Sequence, residues 1–234
     1  MRGAAGGCLP PRNFWARPEA RPDSPPLTVM RVGILDYDSG NLHSAAKAFT
    51  RLIGASEVRL VRTADELMDA ERIVLPGVGA FSACAAALRA RPQLEAALKR
   101  CVLDERRPFL GICVGMQLMA EVGTEHERTA GLGFVEGEIV PLKAGAHKIP
   151  HMGWNQLRHC APHAVLDGLE GQDFYFVHSW APPADAPSCL AVCEHGAAFC
   201  AVWGRDNMIG TQFHPEKSQS AGLKLLDNFL QWQP

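Results

Sequence analysis

The sequence predicts an α/β fold in which a mostly parallel central sheet is flanked by helices and extended by additional antiparallel strands in the C-terminal half. Three observations predict it. From Arg31 to about residue 120, short apolar runs alternate with stretches of helical period, as strands joined by helical crossovers do. Beyond that point, strand-like runs crowd together with little but turn residues between them, the pattern of antiparallel pairing. A chain of 234 residues with 47% hydrophobic content can also bury a full core, while no run of about 18 apolar residues marks a membrane span.

The elements follow in order. Residues 1–29, rich in Pro, Gly and Arg and without either period, are expected to form a disordered leader, with Met30 as a natural start for one domain over 30–234. "VGILDY" (32–37) reads as a strand and "SGN" as a tight loop. In "LHSAAKAFTRLIG", Leu42, Ala45, Ala46, Phe49 and Ile53 share one helical face before Gly54 stops it. "EVRLV" (57–61) and "RIVLPGVGAF" (72–81) supply further strands, with helices expected at about 82–90 and 92–103. "RPFLGIC" is a buried-type strand that leads into "VGMQLMAEVG". In the second half "GEIVPL", "DFYFVHS", "LAVCEH", "FCAVWGRD" and "MIGTQFHPE" read as strands. "SAGLKLLDNFLQWQ" closes the chain as a helix, with Leu223, Leu226 and Phe229 or Leu230 on one face.

A formal charge of −2 gives no basic surface for nucleic acid or an anionic membrane, so a small molecule or a protein is the expected partner. Eight scattered cysteines lack the dense spacing of a stapled secreted domain, which favours a reduced, cytoplasmic setting. Cys189 with Cys193, and His147 with His151, are read as structural rather than as metal ligands. No metal or cofactor is expected.

Cys113 sits between Gly111 and Gly115, where a strand-like run meets a helix-like one. Flanking glycines permit the tight strand-to-helix turn that exposes a nucleophile, and unpaired amides at the start of the helix favour a thiolate. Taken alone, the motif fits a packed core thiol equally well. "GTQFHPEKS" (210–218) tips the balance, because a thiol nucleophile needs a base and a group that orients the base. His214 and Glu216 stand two apart across the rigid Pro215. In an extended segment their side chains would point the same way, one imidazole nitrogen toward the carboxylate and the other toward Cys113.

A Gly-x-Cys-x-Gly elbow followed about a hundred residues later by His-Pro-Glu resembles the class I (triad) glutamine amidotransferases. "DYDSGN", "LPGVGAF", "GICVGMQ", "PHMGWN", "FYFVHS" and "GTQFHPEKS" are together similar to the glutaminase subunits of imidazole glycerol phosphate synthases. The likeness runs from about residue 30 to the C-terminus. It implies the class I amidotransferase fold, with Cys113 attacking the side-chain amide of L-glutamine, His214 transferring the proton to the departing ammonia and Glu216 holding the imidazole. An oxyanion hole would come from the Val114 amide and from the "PGVG" loop at Val78 and Gly79, absent at rest and formed on demand. Gln117 and Ser179 would bind substrate, the latter through its backbone, while His178 stays structural.

The resemblance further implies a heterodimer with a (β/α)8-barrel cyclase subunit. That partner would receive the ammonia through a tunnel and make imidazole glycerol phosphate and AICAR. Trp154, Asn155, Tyr175 and Lys217 match partner-facing positions, with core packing as the alternative for Trp154. The family often carries tyrosine where this chain has Trp180, and the leader has no counterpart. Rival readings are another class I glutaminase, such as that of pyridoxal phosphate synthase, a stand-alone thiol hydrolase, and an inactive interaction module.

Overall fold

The computed structural model describes residues 31–234; the expected leader and its boundary at Met30 lie outside the described residues. The first half builds strands β1 (Val32–Leu35), β2 (Val58–Val61), β3 (Arg72–Gly77) and β4 (Phe109–Cys113). Between them run helices α1 (Leu42–Ile53), α2 (Ala64–Met68), α3 (Phe81–Arg89) and α4 (Pro92–Lys99), the last extended by a π turn to Asp104. After β4 come α5 (Val114–Gln117), β5 (Val122–Gly123), β6 (Thr129–Ala130), β7 (Glu138–Pro141), β8 (His151–Gln156), β9 (Asp173–His178) and β10 (Trp180–Ala181). The chain finishes with β11 (Cys189–His195), β12 (Ala197–Arg205), β13 (Met208–Thr211) and α6 (Gln219–Gln231).

The main sheet runs β2-β1-β3-β4-β13-β12-β11, parallel from β2 to β13 and antiparallel at the β12 and β11 end. Central β1, β3 and β4 are buried along their whole length, as their unbroken apolar runs require, whereas edge strand β2 exposes its middle residues. The connection from β1 to β2 steps one way along the sheet, and those from β2 to β3 and from β3 to β4 step the other way. Right-handed crossovers therefore place α1 on one face and α2 to α4 on the opposite one. Helix α6 joins α1, with Phe49 and Phe229 in edge-to-face contact at 6.3 Å.

The predicted fold class matches this architecture, with local differences. The stretch "VGMQLMAEVG" is helical for four residues alone. Tighter turns at Met119 and Ala120 end the helix, because Val122 and Gly123 are recruited as β5 against β6 and β7. Strand β13 stops at Thr211, so His214 and Glu216 do not share one extended segment. His214 is extended, but Pro215–Lys217 form a 3-10 turn, favoured by the fixed φ of Pro215. That turn, rather than strand alternation, brings the Glu216 carboxylate back to the imidazole.

What positions the site is the pairing of β13 with β4. Gly210 lies opposite Gly111 and Thr211 opposite Ile112, so residues just beyond β13 fall beside Cys113. The carboxyl ends of β3, β4 and β13 thus meet at one edge, where open α/β sheets gather their chemistry.

Candidate active site

Cys113 has φ 55° and ψ −114°, a left-handed conformation that non-glycine residues adopt under constraint, as at a nucleophile elbow. The elbow is tight. A Cβ on Gly115 would lie 1.8 Å from the Leu75 carbonyl oxygen, and one on Gly111 would lie 2.7 Å from the Gly115 carbonyl, so backbone occupies the space. Val114 opens α5, where first-turn amides have no intrahelical acceptor.

The backbone of His214 is pinned on two sides. Its N–H donates to the Tyr175 carbonyl (2.9 Å) and its carbonyl accepts from Ser218 Oγ (2.7 Å), an atom that also accepts from the Tyr175 N–H. Its Nδ1 lies 2.8 Å from Glu216 Oε1, both side chains being 2% exposed, and Asn41 Nδ2 approaches the same oxygen at 3.5 Å. Nε2 makes no hydrogen bond and is left for the thiol. The imidazole feels Cys113 electrostatically, and both side chains line one cavity. Burial pushes the proton affinity of His214 down, but Cys113 and Glu216 outweigh it and raise the imidazole to about 9.

These groups open into a cavity of about 330 Å³. Cys113, Val114, Gln117, Val78, Gly79, Ser179 and His214 all line it, so the structure brings the sequence-predicted triad, oxyanion and substrate positions into one place, with Glu216 directly behind. Gln117 is buried, its Nε2 donating to the Trp180 carbonyl (2.9 Å) and to Gln212 Oε1 (3.0 Å). Ser179 gives its carbonyl to the Leu142 N–H (3.0 Å). In the loop after β3, the Val78 N–H is aimed at Ser39 Oγ (3.5 Å). The Val78 carbonyl accepts from Ser39 Oγ (3.1 Å) and from Cys84 Sγ (3.3 Å). Gly79 follows with φ 97°.

Four lining residues were given no role in the sequence reading: Glu125, Pro150, Val177 and Trp180. Glu125 also accepts the Phe81 N–H (2.7 Å), which fixes it at the head of α3. Its position in a short acidic loop carried no distinguishing signal.

On the wall of the same cavity a second histidine, His178, donates from Nδ1 to the Trp180 carbonyl (3.0 Å) and meets His151 Nδ1 through Nε2 (3.0 Å). Asn155 Nδ2 reaches His151 Nε2 (3.2 Å) and the Glu194 carbonyl (2.7 Å), turning its amide inward. Among the described residues no group of three or more His, Cys, Asp or Glu side chains is arranged to hold a metal ion. Trp154 stands 49% exposed rather than packed in the core. It makes an edge contact with Tyr175 at 5.9 Å, and Lys217 lies over the Tyr175 ring.

Residues 34–232 match the description of the glutamine amidotransferase class-I family. The chain is 51% identical over 212 residues to the imidazole glycerol phosphate synthase subunit HisH of Ruegeria pomeroyi, covering 88% of this chain and all of that protein. It is 50% identical to the same subunit of Cereibacter sphaeroides at the same coverage, and 49% identical to that of Rhodospirillum rubrum over 214 residues. Among solved structures, a glutamine amidotransferase superposes with a TM-score of 0.67 at 18% identity, covering 86% of this chain and 97% of that one. The Thermotoga maritima PurLQS structure gives 0.64 at 19% over the same shares. At such identities the structural likeness speaks for the fold.

Proposed function

This chain belongs to the class-I glutamine amidotransferases, and we propose that it is the glutaminase subunit of an imidazole glycerol phosphate synthase, releasing ammonia from L-glutamine for histidine biosynthesis. The observation that carries the reading is Cys113 at a constrained elbow, facing the same cavity as His214, whose far nitrogen is held by a buried Glu216 at 2.8 Å. A thiol, a base and an orienting carboxylate are the parts that nucleophilic acyl transfer requires.

In this mechanism the proton of Cys113 Sγ has already passed to His214 Nε2 before the attack, and the sulfur, as thiolate, adds to the side-chain amide carbon. The tetrahedral oxyanion meets the Val114 amide, and His214 returns the proton as the C–N bond breaks and ammonia leaves. A water then hydrolyses the thioester to glutamate. An imidazole raised to about 9 holds its proton firmly until the leaving nitrogen needs it. Glu216 keeps Nδ1 protonated so that Nε2 faces the sulfur. Gln117 and the Ser179 backbone border the space for the amino-acid head group, and Glu125 offers a carboxylate to its ammonium. With the Val78 N–H directed at Ser39, rotation of the Gly77–Val78 peptide is what completes the oxyanion hole, in line with a hole formed on demand.

The partner is a cyclase subunit of (β/α)8-barrel form that joins this chain in a cytoplasmic heterodimer. The exposed Trp154, with Tyr175 and Lys217 beside it, is an aromatic and cationic anchor of the kind interfaces use. Ammonia release from glutamine, measured with and without the cyclase and its nucleotide ligand, tests the assignment. Stimulation by cyclase and ligand, abolished in Cys113→Ala, is expected. Activity that ignores the cyclase would point to a stand-alone hydrolase, and activity surviving in Cys113→Ala would remove the mechanism.

A further inference from the structure

Gln212, two residues before His214 and fully buried, touches the nucleophile. Its Nε2 lies 3.8 Å from Cys113 Sγ and its Oε1 accepts from Gln117 Nε2 at 3.0 Å. Which end of an amide faces which neighbour is settled by the network around it. A backbone carbonyl can only accept, so the Gln117 atom at 2.9 Å from the Trp180 carbonyl is its nitrogen. That same nitrogen faces one end of the Gln212 amide, which must therefore be the oxygen. The remaining end, the NH2 group, is left facing the sulfur.

The same carbonyl fixes the other branch. His178 must present Nδ1–H to Trp180, so its Nε2 accepts from His151 Nδ1–H, and His151 Nε2 accepts in turn from Asn155. Trp180 is thus a shared anchor that gives the whole chain one direction of donation. The oxygen of Gln117, which takes no part in these bonds, is left for the cavity that the residue lines.

We infer that Gln212 is a further catalytic residue, an N–H donor held against Cys113 Sγ that favours the thiolate over the thiol. The inference rests on the assignment of Cys113 as nucleophile in the reading above. When the S–H bond breaks and the proton passes to His214 Nε2, the sulfur gains a full charge inside a buried site. A donor already in place strengthens as that charge appears, because hydrogen bonds to ionised acceptors are the stronger class. Other titratable groups near the sulfur do not supply this. Tyr37 and Cys84 feel its charge, but the Tyr37 hydroxyl donates to the Pro76 carbonyl (2.8 Å) and Cys84 Sγ to the Val78 carbonyl (3.3 Å). Nothing in the sequence marks Gln212 for this role; the pairing of β13 with β4 places it.

The test is alkylation of Cys113 by iodoacetamide in the full-length protein, followed by peptide mass spectrometry at neutral and at strongly alkaline pH. It compares wild type with Gln212→Glu, which keeps the shape and replaces the donor by an acceptor, and with Gln212→Met, which removes the donor. Both variants are expected to slow alkylation at neutral pH, about tenfold in Gln212→Met, the change one unit of proton affinity makes, and further in Gln212→Glu. At alkaline pH, where the thiol ionises without help, the rates should converge on wild type. Neutral-pH alkylation at the wild-type rate in either folded variant would overturn the inference, and so would a deficit that persists unchanged into alkali. Because alkylation needs no glutamine, a chain that shows the expected profile but releases no ammonia would sink the glutaminase reading and leave the role of Gln212 standing.

Discussion

His214 and His178 are both buried, both line the same cavity, and both hold Nδ1 on an oxygen, yet His214 is raised to about 9 and His178 is lowered to about 3. Burial disfavours the charged ring in each case, as the first and largest cause. For His214 it is outweighed by Cys113 and the Glu216 carboxylate. For His178 the Trp180 carbonyl offers only a dipole, and the neighbouring His151 adds like charge when protonated. The difference teaches that in this fold a histidine becomes the proton carrier through the sulfur it faces together with the full charge at its back. The other becomes a neutral strut whose tautomer orients Trp180, and through it Gln117.

If the comparison is right, removing the charge behind His214 has the largest effect. Glu216→Gln preserves the shape but lets the imidazole adopt the wrong tautomer, and glutamine hydrolysis in the cyclase complex should fall about 10³- to 10⁴-fold. A steady-state assay showing a loss below tenfold would mean that the carboxylate does not govern the base.

At the other end, His178→Phe keeps the aromatic packing beside Phe176 and Phe199 but strands the His151 N–H. A buried donor left unpaired costs about 1–3 kcal/mol, to be read from urea unfolding. Activity should fall far less than in Glu216→Gln. A catalytic loss comparable to that of the carboxylate variant would erase the contrast between the two histidines.

The pH dependence of stability separates them next. His178 at about 3 and His151 at about 4 bind protons less readily in the folded chain than at their ordinary 6.5. Between 6.5 and those values the unfolded chain takes up the extra protons, so this contribution is present above 6.5 and is lost as pH falls through the window. His214 runs the opposite way. Its contribution is full below 6.5 and is lost as pH rises toward about 9. Thermal melts should therefore show an acid limb that shrinks in His178→Phe and an alkaline limb that shrinks in a His214→Phe variant.

The smallest effect belongs to Asn155, whose amide is half-exposed and can be replaced by solvent. Asn155→Ala should cost about 1 kcal/mol or less in unfolding. A larger loss would show that the outer end of the chain matters as much as the inner one.

Legibility in the sequence followed the same physics. The parallel half was readable because β1, β3 and β4 are buried on both faces and α1 has one apolar stripe, so composition and period agree with the fold. Helix α2 went unread, although Thr63 and Glu66 form a capping box that the Thr-x-x-Glu spacing announces. Strands β5, β6 and β10 are two residues long and carry no period at all; pairing with neighbours defines them. Cys113, His214 and Glu216 stood out because their chemistry is scarce and their spacing telling. Gln212 and Glu125 did not, because an amide or a carboxylate in a loop acquires meaning only when distant strands bring a partner to it.

The most direct test of the two-histidine account is a 15N NMR titration of the imidazole nitrogens in the intact protein, assigned through His214→Phe and His178→Phe. The account predicts that His214 keeps its proton to about pH 9 while His178 stays neutral, with its proton on Nδ1, down to about pH 3. A neutral His214 at physiological pH, or a His178 that titrates near its ordinary 6.5, would contradict it.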